Sequence, residues 1–180
     1  MQRPDFVHLH LHSEYSLSDG IIRIKELVSR ASSLKYSAVG LTDLTNLFGL
    51  LEFYRSSREK GIKPIVGAEV NVIKDKDSLP APIVLLVKDK QGYINLTKIV
   101  SKAYVDGQVN GEPMLELSLL QKYSEGLIAL SGGMEGHVGQ SILAGNIPLT
   151  ESRINFFKSI FDEDFFIEVH RLGKTNEEEY

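Results

Sequence analysis

The hydrophobic and polar positions of the chain follow two periods in turn, one typical of strands and one typical of helices. The run FVHLHL at residues 6–11 reads as a strand, and residues 21–35 place apolar side chains at helical spacing. The same succession follows at residues 37–42 and 47–61. Further strands are predicted at residues 63–73, 82–88, 126–131 and 165–171, and further helices at residues 92–105, 115–123, 136–144 and 149–162.

Strands that alternate with helices predict an α/β fold with a parallel sheet covered by helices. An open doubly wound sheet would need a glycine-rich phosphate loop after its first strand, and none follows residues 6–11. A β/α barrel is therefore favoured. In such a barrel, functional side chains gather at the carboxyl ends of the strands and in the loops just after them.

Composition limits the classes of function. The chain has 180 residues, 42% of them hydrophobic, which fits one domain with a core but without a membrane span. Its N-terminus lacks the layout of a signal peptide and it contains no cysteine, so a cytoplasmic location is expected. Its 20 Lys and Arg residues against 24 Asp and Glu residues give a net charge of −4. Without a dense basic stripe, little direct nucleic-acid binding is expected.

Three of the five histidines stand at alternate positions in HLHLHSEYSLSDG, residues 8–20. Because alternate side chains of a strand share one face, these imidazoles could converge on a cation. Carboxylates fall at or near the ends of the first three predicted strands as well. Two imidazoles and three carboxylates are a ligand set suited to Zn²⁺, Mn²⁺ or Fe in a phosphoester-hydrolysing site. The candidate ligands are His10, His12, Asp19, Asp43 and Glu69.

Each carboxylate has a structural interpretation beside the metal-binding one. Asp19 could cap the helix predicted to start near residue 21, because its side chain can accept backbone N–H groups. Asp43 could brace its own turn through an Asx hydrogen bond, and Glu69 could be a solvated strand residue. Both possibilities stay open for each residue.

The other three histidines are assigned no ligand role. His8 is expected to be a hydrogen-bonded interior residue on the same face as the histidine pair. His137 and His170 are expected to be surface or packing residues.

Four stretches carry a resemblance to a known family: HLHLHSEYSLSDG, LTDLTNLFGLLEFYRSSREKGIKPIVGAEV, GYINLTKIVSKAY and EGLIALSGG. They resemble the PHP (polymerase and histidinol phosphatase) domains at the N-terminus of bacterial DNA polymerase III alpha subunits. The resemblance covers essentially all 180 residues. It implies a distorted, seven-stranded β/α barrel, a cytoplasmic setting and a role in chromosome replication. With about six predicted strands, residues 1–180 are expected to be such a domain, incomplete at its C-terminal end and open on one side.

The resemblance assigns His10, His12, Asp19, Asp43 and Glu69 to ligand positions but implies that other ligands are lost. Leu44 stands where the family has the histidine of an Asp-His pair. A further histidine aligns, less securely, with Tyr104, and a late Asp-x-His pair falls beyond Tyr180. A fourth-strand histidine and a cysteine of metal-binding members align with Pro82 and Gly133.

Two classes of function remain open. The first is a non-catalytic structural domain of a replicative polymerase, with weak or vestigial binding of Zn, Mn or Mg. Its partners would be the remainder of the alpha subunit and the separate proofreading exonuclease subunit. The second is a metal-dependent phosphoesterase, either a 3′–5′ exonuclease or a phosphatase. Because ligands are missing, the first class is favoured and no residue is assigned a catalytic role.

Overall fold

The computed structural model describes residues 6–74 and 78–171, together with Gly173 and Glu177. By its internal contacts the chain divides into two compact units, Met1–Ala68 and Glu69–Tyr180. Helices and strands alternate along both units, so the predicted α/β class is confirmed. In the part of the chain that the structure describes, no helix has the length and apolar character needed to cross a membrane.

The first unit is built from two helix-strand pairs. Its strands run parallel, with Ala38 opposite Lys63 and Leu41 opposite Val66, because a helix crosses over between them. A 3₁₀ turn at Glu14–Asp19 precedes the first helix. The elements are α1 (Ile24–Ser33), β1 (Ala38–Leu41), α2 (Leu50–Glu59) and β2 (Lys63–Ile73), of which β2 continues into the second unit.

The core of the first unit comes from the apolar faces of α1 and α2. Ile24, Val28 and Ala31 follow the helical period along one face of α1, as the sequence predicted, and all three are buried. Phe53 of α2 is fully buried against the same cluster. Burial of this stripe, rather than helix propensity, stabilises two helices of only ten residues each.

In the described residues of the second unit, an open sheet packs with four helices. The end of β2 runs parallel to β6 (Leu115–Glu116), β3 (Ala81–Val87) runs antiparallel to β7 (Leu127–Leu130), and β7 runs parallel to β8 (Phe165–Phe166), giving the order β6–β2–β3–β7–β8 in this unit. Strands β4 and β5 form a separate hairpin. The ranges are β3 (Ala81–Val87), α3 (Lys90–Val105), β4 (Gln108–Val109), β5 (Glu112–Pro113), β6 (Leu115–Glu116), α4 (Leu117–Lys122), β7 (Leu127–Leu130), α5 (His137–Leu143), α6 (Ile147–Phe161) and β8 (Phe165–Phe166).

The predicted first strand at residues 6–11 is wrong as a regular strand, because the structure assigns no strand there. The segment nevertheless hydrogen-bonds to β1 and its extension: Gly40 N donates to His8 O at 2.7 Å and Thr42 N donates to Leu11 O at 2.9 Å. Leu11 N, in turn, donates to the hydroxyl of Thr42 at 2.9 Å instead of to a backbone carbonyl. A side-chain oxygen thus replaces one backbone acceptor of the β-ladder. The spacing of hydrophobic residues gives no sign of such a substitution.

Three other expectations need correction in the second unit. The sheet is mixed rather than parallel, because β3 and β7 are antiparallel. The strand predicted at residues 165–171 is regular only at Phe165–Phe166. Strands β4, β5 and β6 have two residues each, too few to show any period. The hairpin turn does carry a sequence signal, since Asn110 and Gly111 have φ of 54° and 86°, as a two-residue turn requires.

His137 packs inside the second unit, as the packing interpretation predicted. Its Nε2 lies 3.2 Å from the carbonyl oxygen of Val72, and its own carbonyl accepts a hydrogen bond from Arg153 Nη1. Its ring is 6.2 Å from that of Phe157. Burial and then the positive charge of Arg153 lower the pKa of His137, while the bond to Val72 opposes them.

We predict that this lowered pKa makes the second unit less stable in mild acid. Because the folded state disfavours the imidazolium, the unfolded chain binds the proton first as pH falls through the ordinary pKa of 6.5. The stabilisation is fully present above that pH and is lost between 6.5 and the lower folded pKa. Urea unfolding at about pH 7.5 and about pH 5 should show a smaller loss for His137→Asn than for the parent chain. His8→Asn, at an exposed histidine, is the control and should retain the parent's pH dependence.

Candidate metal centre

His10 and His12 form the pair of imidazoles that the alternating pattern predicted. Both are half-buried, and their rings meet edge to face with centroids 5.4 Å apart. The backbone bonds from the 8–11 segment to Gly40 and Thr42 hold the histidines beside the end of β1. Two imidazoles from one chain segment can offer two nitrogen donors to one ion.

His8 does not share that environment, and the expectation of an interior histidine is wrong. Its side chain is exposed, with Nε2 3.4 Å from the hydroxyl of Tyr36 and its ring 4.8 Å from that of Phe6. The predicted hydrogen bond exists, but its partner is the half-buried Tyr36 at the margin of the core cluster. The alternating pattern placed His8 on the same face as His10. It could not show that Phe6 and His8, at the start of this segment, are exposed to solvent.

Asp43 lies two residues after the end of β1 and is only 2% exposed. Its Oδ1 accepts hydrogen bonds from the backbone N of Ser13 at 2.6 Å and from the hydroxyl of Ser16 at 2.7 Å. Its Oδ2 accepts from the Ser13 hydroxyl at 2.8 Å. The carboxylate therefore braces a loop 27 to 30 residues away in sequence, rather than its own turn as an Asx bond would.

Leu44 takes part in the same hydrogen-bond cluster through its backbone. Its N–H donates to the Ser16 hydroxyl at 3.0 Å, while that hydroxyl donates to Asp43. The leucine side chain offers no metal donor. Among the described residues of the first unit, neither Asp19 nor Asp43 joins the histidine pair in a group of three donors within 4.8 Å of one another.

Asp19 is exposed at the end of the 3₁₀ turn. Helix α1 begins at Ile24, and its N-cap residue Arg23 makes no side-chain capping bond. The capping interpretation of Asp19 is therefore wrong, because the helix starts later than its apolar pattern predicted. Assignment of Asp19 as a ligand stays a prediction.

The second unit contains other side chains able to bind a metal. Glu69 is half-buried on β2, and Glu168 and His170 follow β8. His170 Nε2 lies 2.9 Å from Glu168 Oε1, so the two form an ion pair when the imidazole is protonated. His170 was expected to be a surface or packing residue, although the spacing in EVH, with one residue between acid and imidazole, was a signal for a shared face.

Gly133 packs against His170 at the position where the family resemblance places a cysteine. A Cβ added there would lie 2.9 Å from His170 Nδ1 and 3.0 Å from its Cε1, and the backbone φ is +60°. A side chain at this position would require the ring to move and would strain the backbone. Pro82, half-buried in β3, offers no donor in place of the family's histidine.

The residues fit a metal only in part. The first unit offers the two imidazoles, while the Asp43 carboxylate already accepts three hydrogen bonds. A closed zinc site needs about four donors. These donors alone predict weak binding.

Comparison with protein families shows a match to the PHP domain over residues 8–172. The DNA polymerase III subunit alpha of Vibrio cholerae is 40% identical over 182 residues, which covers 100% of this chain and 16% of that protein. The protein of the same name from Escherichia coli K12 is 42% identical, with the same coverage. The chain thus matches these relatives along its whole length but spans only 16% of theirs.

Likeness among solved structures is weaker. An amidohydrolase from Chromobacterium violaceum, with bound sulfate and no metal, has 22% identity and a TM-score of 0.46 over 87% of this chain and 50% of that chain. This similarity is too low to carry an argument about chemistry.

We predict that Asp43→Asn destabilises the first unit by about 1–3 kcal/mol, because an amide cannot accept all three hydrogen bonds and leaves a buried serine donor unpaired. Urea unfolding would measure the loss. Asp19→Asn is the matched control, since Asp19 is exposed, and should change stability by less than about 0.5 kcal/mol. Equal effects of the two substitutions would show that Asp43 does not have this structural role.

Proposed function

Because the chain belongs to the PHP domain family, we propose that it is the N-terminal domain of a bacterial replicative DNA polymerase alpha subunit, serving there as a structural and partner-docking domain. Identity of about 40% along the whole chain supports this assignment. Nucleotide addition would belong to other parts of the subunit, and the setting would be the cytoplasm. The partners would be the remainder of the subunit and the proofreading exonuclease.

The hydrogen bonding of Asp43 is the observation that best supports a non-catalytic role for the domain. A hydrolytic metal centre uses carboxylates that are free to bind or bridge ions. Here the carboxylate is buried and accepts three hydrogen bonds from two serines, and its neighbour is an apolar leucine. We infer that this part of the ancestral ligand set now supports structure.

We propose that any divalent ion is held weakly, by His10 and His12, with Zn²⁺, Mn²⁺ and Mg²⁺ as the candidates. The family resemblance adds Glu69 as a third donor. A bound ion would supply Lewis-acid polarisation of a phosphoryl oxygen. The alternative function, a metal-dependent phosphoesterase, is favoured by the closeness of the two imidazole rings and opposed by Leu44, Pro82 and Gly133.

We predict weak metal binding without appreciable turnover. In calorimetric titration, Zn²⁺ or Mn²⁺ should bind, be removed easily by a chelator, and bind less well to His12→Ala. His8→Ala is the control, because this exposed histidine lies outside the pair and should leave binding unchanged. Hydrolysis of a phosphomonoester or of single-stranded DNA that rises with added Mn²⁺ and disappears in His12→Ala would establish the phosphoesterase instead.

We also predict that the complete domain binds the proofreading exonuclease independently of the histidine pair. His10→Ala should act through stability, costing about 1–3 kcal/mol where buried hydrogen-bonding groups lose partners. Nucleotide addition by the whole subunit should change little, and titration of labelled exonuclease should show unaltered binding to folded variant. Failure of a verified folded, complete domain to bind would remove the docking role.

A further inference from the structure

A shallow groove runs along the outer face of α3 in the second unit. The opposite face of the helix is held in the core by Leu96, Ile99 and Ala103, which are fully buried. Val105 on the outer face is 79% exposed, although it is a large aliphatic residue. The groove has a volume of about 320 Å³, and its lining residues are Thr97, Lys98, Ser101, Lys102, Val105 and Asp106.

The length of the groove sets the size of its occupant. Nine helical steps separate Thr97 from Asp106, which at 1.5 Å per residue is about 14 Å. An extended peptide rises about 3.3 Å per residue, so the groove accommodates about four to five residues. A volume of about 320 Å³ is at the small end for a specific site and suits one apolar side chain with its neighbours.

Charge at the groove is positive, although the chain as a whole is acidic. Lys102 is neutralised, because its Nζ lies 2.6 Å from the Asp106 carboxylate. Lys98 and Lys122 instead direct their ammonium groups to the ring of Tyr123, at 5.6 and 5.5 Å from its centroid. Within the described ranges, the structure shows no carboxylate paired with either of them. Two uncompensated ammonium groups therefore flank an exposed apolar surface.

This combination fits carboxylates and an aliphatic side chain better than nucleic acid. Two lysines could neutralise only two phosphates, and Tyr123 already has two ammonium groups against its ring, where a base would stack. The residues that line the groove are one aliphatic residue, two hydroxyl residues and three charged residues, and none of them is aromatic.

We propose that the α3 groove binds a short acidic segment of a partner protein, with an aliphatic side chain over Val105 and carboxylates at Lys98 and Lys122. Charge complementarity selects this occupant, and the paired Lys102 contributes little to it. The proposal does not rest on the exonuclease docking proposed above, because it is argued from the charges on α3 and is tested with a synthetic peptide in the absence of any other polymerase subunit. Loss of either proposal would leave the other intact.

The test is fluorescence anisotropy of a labelled peptide, Asp-Asp-Leu-Asp-Asp, titrated with the 180-residue chain. Saturable binding should weaken as salt is raised. Lys98→Gln should weaken it about three-fold, the effect of losing one exposed charge pair. Lys158→Gln is the matched control, because it removes an exposed lysine of α6 that does not line the groove, and it should leave the Kd within measurement error. Val105→Ser should also weaken binding, and thermal melting should confirm that each variant is folded.

Several outcomes would overturn the proposal. They are absence of saturable binding by the folded chain, equal binding of an Asn-Asn-Leu-Asn-Asn peptide, and equal losses for Lys98→Gln and Lys158→Gln. Displacement of the peptide by a short oligothymidine that binds more tightly, and whose binding also depends on Lys98, would assign the groove to nucleic acid instead.

Discussion

The first unit depends on one buried carboxylate. Asp43 is almost completely buried, so water cannot solvate its carboxylate. The three hydrogen bonds from Ser13 and Ser16 replace that solvation and offset the free-energy cost of burying the group. Those bonds fix the loop that directly follows His12. The same Ser16 hydroxyl also accepts the backbone N–H of Leu44. The position of the imidazole pair and the end of β1 are therefore set by one cluster, and any change in the carboxylate affects both.

In the second unit, too, a position where the family resemblance places a metal ligand has a packing contact instead. Gly133 adopts a φ of +60° and leaves room for the ring of His170, which a Cβ would crowd at 2.9 Å. That ring is in turn tied to Glu168 at 2.9 Å. Leu44 and Gly133, two positions at which the family resemblance implied a missing donor, both make local contacts. The backbone N–H of Leu44 donates to the Ser16 hydroxyl, and Gly133 lies against the ring of His170.

The sequence predicted the helices whose apolar faces repeat over several turns, and it placed Asp43 near the end of a strand, but the strand predicted before His12 is not regular. Ile24, Val28 and Ala31 are buried as their spacing indicated, and His10 and His12 meet as alternation required. It could not predict the use of Asp43, because its serine donors lie 27 to 30 residues away and hydroxyls leave no periodic signal. For the same reason the bond between Leu11 and the Thr42 side chain, which interrupts the first strand, was invisible. The two-residue strands were too short for any pattern.

A sequence motif cannot distinguish an exposed carboxylate from a buried, hydrogen-bonded one, but the solvent exposure of each side chain does. Asp19 and Asp43 both match ligand positions of the family, yet one is exposed and the other is 2% exposed with both oxygens accepting hydrogen bonds. A carboxylate that accepts several hydrogen bonds would have to exchange them for a metal bond, and the adjacent Leu44 side chain offers no donor toward that exchange. The family resemblance makes both residues candidate ligands, while the hydrogen bonds show that Asp43 braces the Ser13–Ser16 loop. On the α3 face, Lys102 is neutralised by Asp106, whereas Lys98 lies over the ring of Tyr123 and has no carboxylate partner among the residues that the structure describes. Side chains whose charge is not compensated within the fold are the ones available to a partner.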